Sequence, residues 1–476
     1  MMSENPKSTK SGNHNQSAVQ TVYPKYKPSG VEWIGEIPEH WDKIKLKYIA
    51  KVQSSNVDKK TIEGEIPILL CNYVDVYKNE FIDDSFNFME ATATEREIEK
   101  FILKKGNVLI TKDSETPDDI ANPTLVKKDF DNVICGYHLA QIYSKQTKLL
   151  GNFLFRLFQT KQFNSHFEVS ANGVTRFGLP LESITDVEII IPNESEQTAI
   201  ANYLDDKTAK IDTLIEKKKK LIDLFKEERA AIINQAVTRG IDPDVKLKPS
   251  GIDWLGDIPE HWEMKKLKYL TKTISKGTTP STIGSEVLSE GKIRFLKAEN
   301  ILQSNKISKY PEFFIDEETN QLLKRSELHE TDILIVIAGA TIGKIGILFK
   351  ELLPANTNQA VCFIRLIDSE KSQWIWLFFQ SHFIKQTIFL ASVQAAQPNL
   401  SMESIGNFSI VLTEQNEILE IIQHIEIETK RIDETIYKIE KEIELLAEYR
   451  TALISEVVTG KIKVTDNSNP LGMQSL

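Results

Sequence analysis

Two stretches of the sequence decide the fold. Residues 30–41 read GVEWIGEIPEHW, and residues 251–262 read GIDWLGDIPEHW. The letters KPSG end at the first glycine of each stretch, and KLKY follows each stretch a few residues later. A match of this length is not a chance event. Its period of roughly 220 residues is far longer than the roughly 20 to 50 residues of solenoid repeats, so the chain consists of two large, similar halves in tandem.

Each half ends in a long amphipathic pattern, opened by Glu196-Gln197 in the first half and by Glu414-Gln415 in the second. In the second pattern an apolar residue recurs every seven positions, at Ile418, Ile425, Ile432, Ile439, Leu446 and Leu453. Such a heptad seam is typical of a coiled coil, and a lone helix with an exposed seam needs a partner. The chain offers the other copy as that partner, which predicts an intramolecular antiparallel coiled coil.

The segments before the two helices have a mixed pattern. Short β-branched runs, for example 107–111 and 333–337, are punctuated by Gly, Pro, Asn and Asp, which indicates strands and turns. Stretches 152–167 and 373–389 have the pattern of helices. The predicted fold is therefore α+β. It comprises two similar mixed α/β domains and two long helices, arranged about a pseudo-twofold axis.

These patterns and the length of 476 residues, which is typical of about three domains, set the predicted boundaries. The predicted segments are a disordered tail over 1–21, a first mixed domain over 22–192, a central helix over 193–242, a second mixed domain over 243–412, a C-terminal helix over 413–460 and a tail over 461–476.

Composition narrows the class of protein. The chain has 58 basic and 68 acidic residues, a net charge of −10, which argues against a broad basic nucleic-acid coat but leaves room for a local basic groove. Cys71, Cys135 and Cys362 are isolated, which favours buried thiols in a reducing compartment over disulfides or a metal site. The longest apolar run, 333–342, is about half the ~20 residues of a membrane span. We expect a cytoplasmic protein without membrane association.

Catalytic motifs are not found. Residues 339–345, GATIGKI, resemble a phosphate-binding loop, but only three residues separate the glycines and Ile345 follows Lys344 where Ser or Thr is required. The pattern favours a glycine turn between strands. No histidine pair has metal-ligand spacing, and His40 and His261, each beside a tryptophan, are expected to have packing roles. We therefore predict no catalytic residues, no metal ligands and no cofactor bound by this chain.

The order of mixed domain, Glu-Gln-opened helix, mixed domain and similar helix resembles the DNA specificity subunit of type I restriction–modification systems. WIGEIPEHW and WLGDIPEHW resemble the lead-in to each target-recognition domain of that family, and residues 275–280, SKGTTP, resemble its early Gly-Thr-Pro turn. Residues 340–344 and 396–400 resemble later segments of such domains. The resemblance covers about 22–464, nearly the whole chain.

The resemblance implies a non-catalytic subunit. Such a subunit recognises a bipartite, asymmetric site on double-stranded DNA, with one domain per half-site and an unread spacer between the half-sites. It also implies two modification (methyltransferase) subunits and two restriction (nuclease and translocase) subunits as partners. S-adenosylmethionine, ATP and magnesium are expected on those partner subunits.

Reading of base edges requires Arg, Lys, Asn, Gln, Ser or Thr on loops. In the first domain the candidate DNA-binding residues are Lys112, Asn172, Thr175 and Arg176. In the second domain they are Lys276, Thr278, Thr279, Lys344 and Gln397. The tryptophans of the two lead-ins are expected in the core or at a subunit interface.

Two other functions stay open at this point. The acidic balance is compatible with a coiled-coil scaffold that has two similar domains and does not bind DNA. An enzyme that acts alone would require a catalytic motif that the sequence does not contain. A DNA pulldown with the modification partner present discriminates the first alternative. Incubation with DNA, magnesium and S-adenosylmethionine discriminates the second.

Overall fold

The computed structural model describes residues 22–145, 148–393 and 399–464. The predicted tail 1–21, most of the tail 461–476 and the candidate Gln397 lie outside the described residues. The described chain forms two compact units. The first unit takes the residues up to Lys217 and from Glu442 onward, and the second unit is Lys218–Lys441. None of the described helices combines the length and the apolar character that a membrane crossing requires.

The first unit is a mixed α/β structure. Its strands are β1 (Tyr26–Pro28), β2 (Glu36–Pro38), β3 (Asp42–Lys45), β4 (Ala50–Ser54), β5 (Ile66–Cys71), β6 (Phe81–Ile82), β7 (Met89–Ala93), β8 (Val108–Thr111), β9 (Asp113–Ser114), β10 (Pro123–Val126), β11 (Val133–Cys135), β12 (Leu139–Ser144), β13 (Asn172–Gly173), β14 (Phe177–Gly178) and β15 (Glu188–Ile191). Its helices are α1 (Leu46–Ile49), α2 (Tyr73–Tyr77), α3 (Glu95–Phe101), α4 (Gly151–Phe158), α5 (Lys161–Ser170), α6 (Leu181–Thr185) and α7 (Glu194–Arg239), the last of which ends in the second unit.

The second unit repeats the mixed pattern. Its strands are β16 (Leu247–Pro249), β17 (Asp257–Pro259), β18 (Glu263–Lys266), β19 (Thr271–Lys276), β20 (Ile293–Leu296), β21 (Phe314–Ile315), β22 (Ile333–Val336), β23 (Ile345–Ile347), β24 (Ala355–Thr357), β25 (Val361–Leu366) and β26 (Ser409–Leu412). Its helices are α8 (Glu317–Leu322), α9 (Ser372–Phe378), α10 (His382–Val393), α11 (Met402–Gly406) and α12 (Gln415–Val458), the last of which ends in the first unit. Short 3-10 helices cover Leu267–Tyr269, Pro280–Ile283, Ala298–Asn300, Lys324–Ser326, Lys350–Leu352 and Ser369–Lys371.

The two units share one sheet topology, except that the main sheet of the first unit has a fifth strand, β6. In the first unit the main sheet has the order β4-β12-β8-β10-β6, and in the second unit it has the order β19-β25-β22-β23. A second sheet, β11-β5-β7 in the first unit and β24-β20-β21 in the second, joins one parallel and one antiparallel pair in both cases. The pairs β3–β15 and β18–β26 join the third strand of each mixed segment to its last strand. The predicted α+β fold with two similar mixed domains is confirmed.

The long helices α7 and α12 pack antiparallel within each unit. In the first unit Asp212 pairs with Arg450 at 2.8 Å, while Glu196 and Gly460 both lie against Trp41. In the second unit Arg229 pairs with Asp433 at 3.2 Å. The two ion pairs are equivalent, because Arg229 corresponds to Arg450 and Asp212 corresponds to Asp433 in the repeat. Each pair joins an arginine and an aspartate from opposite helices. The predicted antiparallel coiled coil is confirmed.

The seam predicted for α12 is the buried side of that helix. Ile418, Ile425, Ile432, Ile439 and Leu453 are buried, and Leu446 is half-buried. On α7 the seam is less regular: Leu204, Ile211 and Ile222 are buried, whereas Ile215, Phe225 and Ile232 are half-buried. The sequence of α7 accounts for part of this difference, since Lys218 occupies the seam position that Ile439 has in α12.

Each of the two stretches predicted to be helical, 152–167 and 373–389, contains a pair of helices. The chain leaves the helical conformation at Thr160, whose hydroxyl donates to the Leu157 carbonyl at 2.9 Å and whose backbone is extended before α5. The second unit breaks at Ser381, whose hydroxyl accepts from the Ile384 amide at 3.3 Å. Small hydroxyl residues compete with the helix backbone for hydrogen bonds, which is why they favour helix boundaries.

Each unit has an apolar core that includes one tryptophan of the lead-in. Trp41 in the first unit and Trp262 in the second are fully buried. Trp33 is half-buried against Phe163, whereas Trp254 is 52% exposed. The three cysteines are buried as predicted, and burial raises the pKa of the Cys362 thiol to about 12.

Candidate nucleic-acid interface

The candidate residues gather at equivalent edges of the two main sheets. In the first unit β8 ends at Thr111 beside the start of β12, and in the second unit β22 ends at Val336 beside the start of β25. Because these neighbouring strands are antiparallel, the loop that follows one strand and the loop that precedes the next emerge at one edge. We call these the first edge and the second edge. Loops of this kind carry function on a rigid scaffold.

A small sheet builds the first edge. Strand β9, just after β8, pairs with β14, and β14 pairs with β13 to form a hairpin over 172–178. Asn172, Thr175 and Arg176 are exposed on this hairpin, and Val174 at its tip is 90% exposed. Gly173 is required there, since a Cβ atom would lie 2.0 Å from the Arg176 carbonyl oxygen. The hairpin thus places three of the predicted residues on one projecting element.

Lys112 joins the same cluster. Its carbonyl accepts from the Leu179 amide at 2.8 Å, which fixes the hairpin to the end of β8. Its ammonium lies 3.3 Å from the Asp113 carboxylate. All four residues predicted for the first domain therefore lie at the first edge.

His138 and Asp113 hold this cluster together. The Nδ1 atom of His138 lies 2.6 Å from Asp113 Oδ2, and its Nε2 atom lies 3.3 Å from an Nη2 of Arg176. A proton on Nδ1 satisfies both contacts, since that nitrogen then donates to the carboxylate and Nε2 accepts from the guanidinium. His138 has a φ of 69°, a left-handed conformation that is costly for residues other than glycine and is often found at functional sites.

Two stacked tyrosines lie beside the cluster. The rings of Tyr73 and Tyr77 are 5.6 Å apart, and the Tyr77 hydroxyl donates to Asp119 at 2.6 Å. Burial raises the pKa of Tyr73, and the negative charges of Asp119 and Asp113 raise it further, while Arg176 and Ser114 lower it. The first edge thus presents guanidinium, ammonium, phenol and amide donors beside carboxylate acceptors, the groups that read base edges.

Uncharged side chains dominate the first loop of the second edge. Lys276 is exposed at the end of β19, and the Thr278 amide donates to the Thr357 carbonyl at 3.2 Å. The Thr279 hydroxyl donates to the side chain of Gln359 on the neighbouring loop. Gly277 permits this contact between loops, because a Cβ atom would lie 1.8 Å from the Thr357 oxygen.

Residues 339–344 form the predicted glycine turn, which joins β22 and β23. Gly339 and Gly343 have φ values of +92° and +87°, the left-handed region that glycine adopts without strain. Lys344 is half-buried at the end of the turn, where its carbonyl accepts from the Val336 amide at 2.9 Å. Lys276, Thr278, Thr279 and Lys344 therefore share the second edge.

Sequence reasoning missed the residues that connect the candidates. Asp113 stands next to Lys112 in the sequence and could have been included on that ground. His138 has no local signal, because its contact with Asp113 spans 25 residues and depends on the pairing of β8 with β12. Gln359 was missed for the same reason, since 80 residues separate it from Thr279.

A second arrangement is repeated almost unchanged in both units. Glu196, in the first turn of α7, lies 3.0 Å from His40 Nε2 and 3.5 Å from Trp41 Nε1. Glu417, in the first turn of α12, lies 2.8 Å from His261 Nε2 and 3.1 Å from Trp262 Nε1. We call these the two His–Trp–Glu junctions. The two histidines are half-exposed and lie within hydrogen-bond distance of the glutamates, rather than being the packed side chains that the sequence suggested.

Comparisons with known proteins identify the family. A family model described as "Type I restriction modification DNA specificity domain" matches residues 38–224 and 259–444. The chain belongs to this family. The specificity subunit has two target-recognition domains and is not an enzyme, as predicted. Among the described residues, no group of three or more His, Cys, Asp or Glu side chains is placed to hold a metal ion.

The specificity subunit has full-length relatives in Methanocaldococcus jannaschii. It is 25% identical over 454 residues to the type I restriction enzyme MjaIX specificity subunit, covering 91% of this chain and 96% of that protein. It is 24% identical over 436 residues to the putative MjaX specificity subunit, covering 90% and 96%. A chain from a structural study of complex assembly and conformational transition of the type I R-M system is similar in fold. The TM-score is 0.65 at 13% identity, with 89% and 98% of the two chains covered.

Proposed function

We propose that this specificity subunit reads a bipartite, asymmetric site on double-stranded DNA, with the first edge on one half-site and the second edge on the other. The observation that carries the proposal is the position of the candidate residues. Eight of the nine lie at equivalent edges of two sheets with the same topology, and the ninth, Gln397, lies outside the described residues. A pair of similar domains with different edge side chains fits two unlike half-sites.

The chemistry of the edges supports the proposal. Arg176 is exposed on a hairpin and is held by His138, so its guanidinium has donors free for a base such as guanine. Lys276 and Lys344 supply positive charge to the second edge, where backbone phosphates would approach. The net charge of −10 does not oppose DNA binding, since a local positive surface is sufficient.

The subunit also joins a larger complex in this proposal. It docks two modification subunits and two restriction subunits, which carry S-adenosylmethionine, ATP and magnesium. The two His–Trp–Glu junctions support this stoichiometry, because two copies of one partner require two equivalent surfaces. A repeated junction supplies such a pair, whereas the unlike edges do not.

The Arg176→Ala variant tests the reading of the first half-site. Binding of the complex with its modification partner is measured on duplexes in which one half-site at a time is scrambled. Loss of one bidentate base contact costs about 1–3 kcal/mol, which is about 5- to 150-fold in affinity. We expect the loss on duplexes with an intact first half-site and no change where that half-site is already scrambled.

The matched control is Arg431→Ala, an exposed arginine whose partners are Glu228 and Glu428 on the long helices. It removes the same side chain away from both edges and should leave DNA affinity unchanged. Equal binding by Arg176→Ala and the unmodified complex would remove the hairpin from the interface. Methylation mapping of the host genome tests the larger claim, and a continuous rather than divided motif would contradict it.

A further inference from the structure

The second unit contains a cavity of about 550 Å³ between the long helices and the mixed domain of the same unit. Four cationic side chains line it, namely Lys226, Arg229, Lys306 and Lys385. Two carboxylates, Asp433 and Glu440, also line it. The lining therefore has two more positive than negative groups, which favours an anion.

At the equivalent position of the first unit, charged side chains pair with one another. There Arg450, the repeat equivalent of Arg229, donates to two carboxylates at once, Asp212 at 2.8 Å and Glu80 at 2.7 Å. The fully buried Arg156 lies 3.6 Å from the same Glu80 and 2.7 Å from Asp205. Positive and negative groups alternate, so the first unit satisfies its own charges.

Lys306 lines the cavity of the second unit, whereas the first unit has Glu80 beside its arginine. Glu80 precedes Phe81, which pairs with Leu125 of β10. Lys306 precedes Ile307, which packs on Gly346 of β23. Strands β10 and β23 are equivalent, because each is the antiparallel partner of β8 or β22. Arg229 retains Asp433 at 3.2 Å, and Lys306 and Lys385 line the cavity with it.

Lys226 lies 3.9 Å from the Asp223 carboxylate, whereas the other two lysines of the cavity lack close acidic partners. Within the part of the chain that the structure describes, no carboxylate lies within 4 Å of the ammonium of Lys306 or Lys385. Partial burial and the charge of Arg229 lower the pKa of Lys385. Like charges brought together without counter-charges are unfavourable, and a bound anion would relieve the repulsion.

The geometry points to a binding site for a small phosphate monoester in the second unit. A phosphate monoester carries about −1.5 to −2 charges near pH 7, and the positive excess of the lining attracts such an anion. Arg229 suits a phosphate because its guanidinium donates through several N–H groups in one plane. The remaining wall, formed by Ala230, Ile233, Ile436 and the Tyr437 ring, would pack against an apolar or aromatic organic part. A cavity of this volume accommodates a ligand of nucleotide size.

Calorimetric titration of the full chain with adenosine monophosphate tests the assignment, with orthophosphate and adenosine as parallel ligands. We expect one saturable site per chain for adenosine monophosphate, weaker binding of orthophosphate that competes with it, and no binding of adenosine. Absence of saturable binding by both phosphate compounds would overturn the proposal. Adenosine that binds as tightly as adenosine monophosphate would overturn it too. Binding of orthophosphate without binding of adenosine monophosphate would contradict a site for a phosphate monoester.

Lys306→Glu is the decisive variant, because it replaces a cation of the lining by an acid. We expect at least a tenfold loss of affinity for adenosine monophosphate together with unchanged or raised thermal stability. The matched control is Lys309→Glu, which makes the same charge change at an exposed lysine outside the cavity. Equal losses in the two variants would mean a non-specific charge effect, and no loss in Lys306→Glu would contradict the site. Lys385→Gln supplies a second test that keeps the helix intact, and it too should weaken binding.

Discussion

The His–Trp–Glu junctions and the sheet edges differ in how closely the two units agree. At the junctions of both units, a glutamate in the first turn of a long helix accepts a hydrogen bond from a tryptophan N–H and contacts a histidine nitrogen. At the edges the first unit has a charged cluster around Asp113 and His138, whereas the second unit has threonines beside Gln359. The difference follows from their surroundings. The junctions are constrained by a buried tryptophan and two helix ends, whereas the edge loops project from strand ends and bear little packing.

Trp41→Ala and Trp262→Ala should have the largest effects and should match each other. Both side chains are fully buried, and truncation of a buried aromatic residue costs about 3–5 kcal/mol in the free energy of unfolding. Hydrogen exchange resolved by peptide should show faster opening chiefly in the unit that carries the substitution. Equal loss of protection in both units from either variant would contradict the assignment of each tryptophan to its own core.

Gly460→Ala and Gly240→Ala should destabilise the two junctions to different extents. Both glycines have left-handed backbones, with φ of +75° and +78°, where a side chain costs about 1–2 kcal/mol. A Cβ atom on Gly460 would also lie 2.4 Å from the Pro38 ring, whereas one on Gly240 would meet Trp262 at an ordinary 3.4 Å. Urea unfolding should therefore show a larger loss for Gly460→Ala, by about 1 kcal/mol or more. Equal losses in the free energy of unfolding would mean that the two glycines have the same space for a Cβ atom.

Lys112→Ala and Lys344→Ala compare the two edges on DNA. Removal of one lysine that contacts a phosphate should weaken binding up to about tenfold and reduce the slope of affinity against salt by about one. We expect the smaller effect from Lys112→Ala, because Asp113 already neutralises part of the Lys112 charge at 3.3 Å. Anisotropy titrations at several salt concentrations give both quantities. A larger salt effect from Lys112→Ala would reverse the proposed order.

The pH dependence of the second junction should be the smallest effect. Burial alone would raise the pKa of Glu417, but hydrogen bonds from Thr413, His261 and Trp262 hold it below its ordinary value of 4.5. A carboxylate with a lowered pKa stabilises the fold fully at neutral pH, and this stabilisation is lost as the pH falls through the folded-state pKa. The difference in stability between the unmodified chain and Glu417→Gln should therefore shrink below about pH 4.5. Glu420→Gln, an exposed neighbour, should show no such trend.

The repeated parts of the chain were predictable because their signals are local or periodic. The duplicated lead-ins indicated two similar halves, and the heptads of α12 indicated the helix and its buried side. The helical stretches 152–167 and 373–389 were predicted, but their breaks at Thr160 and Ser381 were not, because an apolar pattern continues across a boundary that one hydroxyl residue sets. The predicted domain boundaries remain predictions.

The sequence predicted the loop residues of the candidate interface but not the contacts between them. Lys112 and Arg176 were chosen by residue type, and the structure brings them to one edge. The contacts that connect them depend on strand pairing across the main sheet, which the order of residues does not reveal. The cavity of the second unit was likewise not predictable from the sequence, because its lining comes from two long helices, a loop and α10.

The pairing of β3 with β15 and of β18 with β26 has an evolutionary consequence. The polypeptide enters and leaves the segment between these strands at one place, on two adjacent, hydrogen-bonded strands. Side chains of the segment, such as Glu80 and Arg156, also contact the long helices. Recombination at the paired strands would exchange the whole segment, including its edge, and would keep the two junctions. Under the proposed function, one such exchange would change the DNA preference.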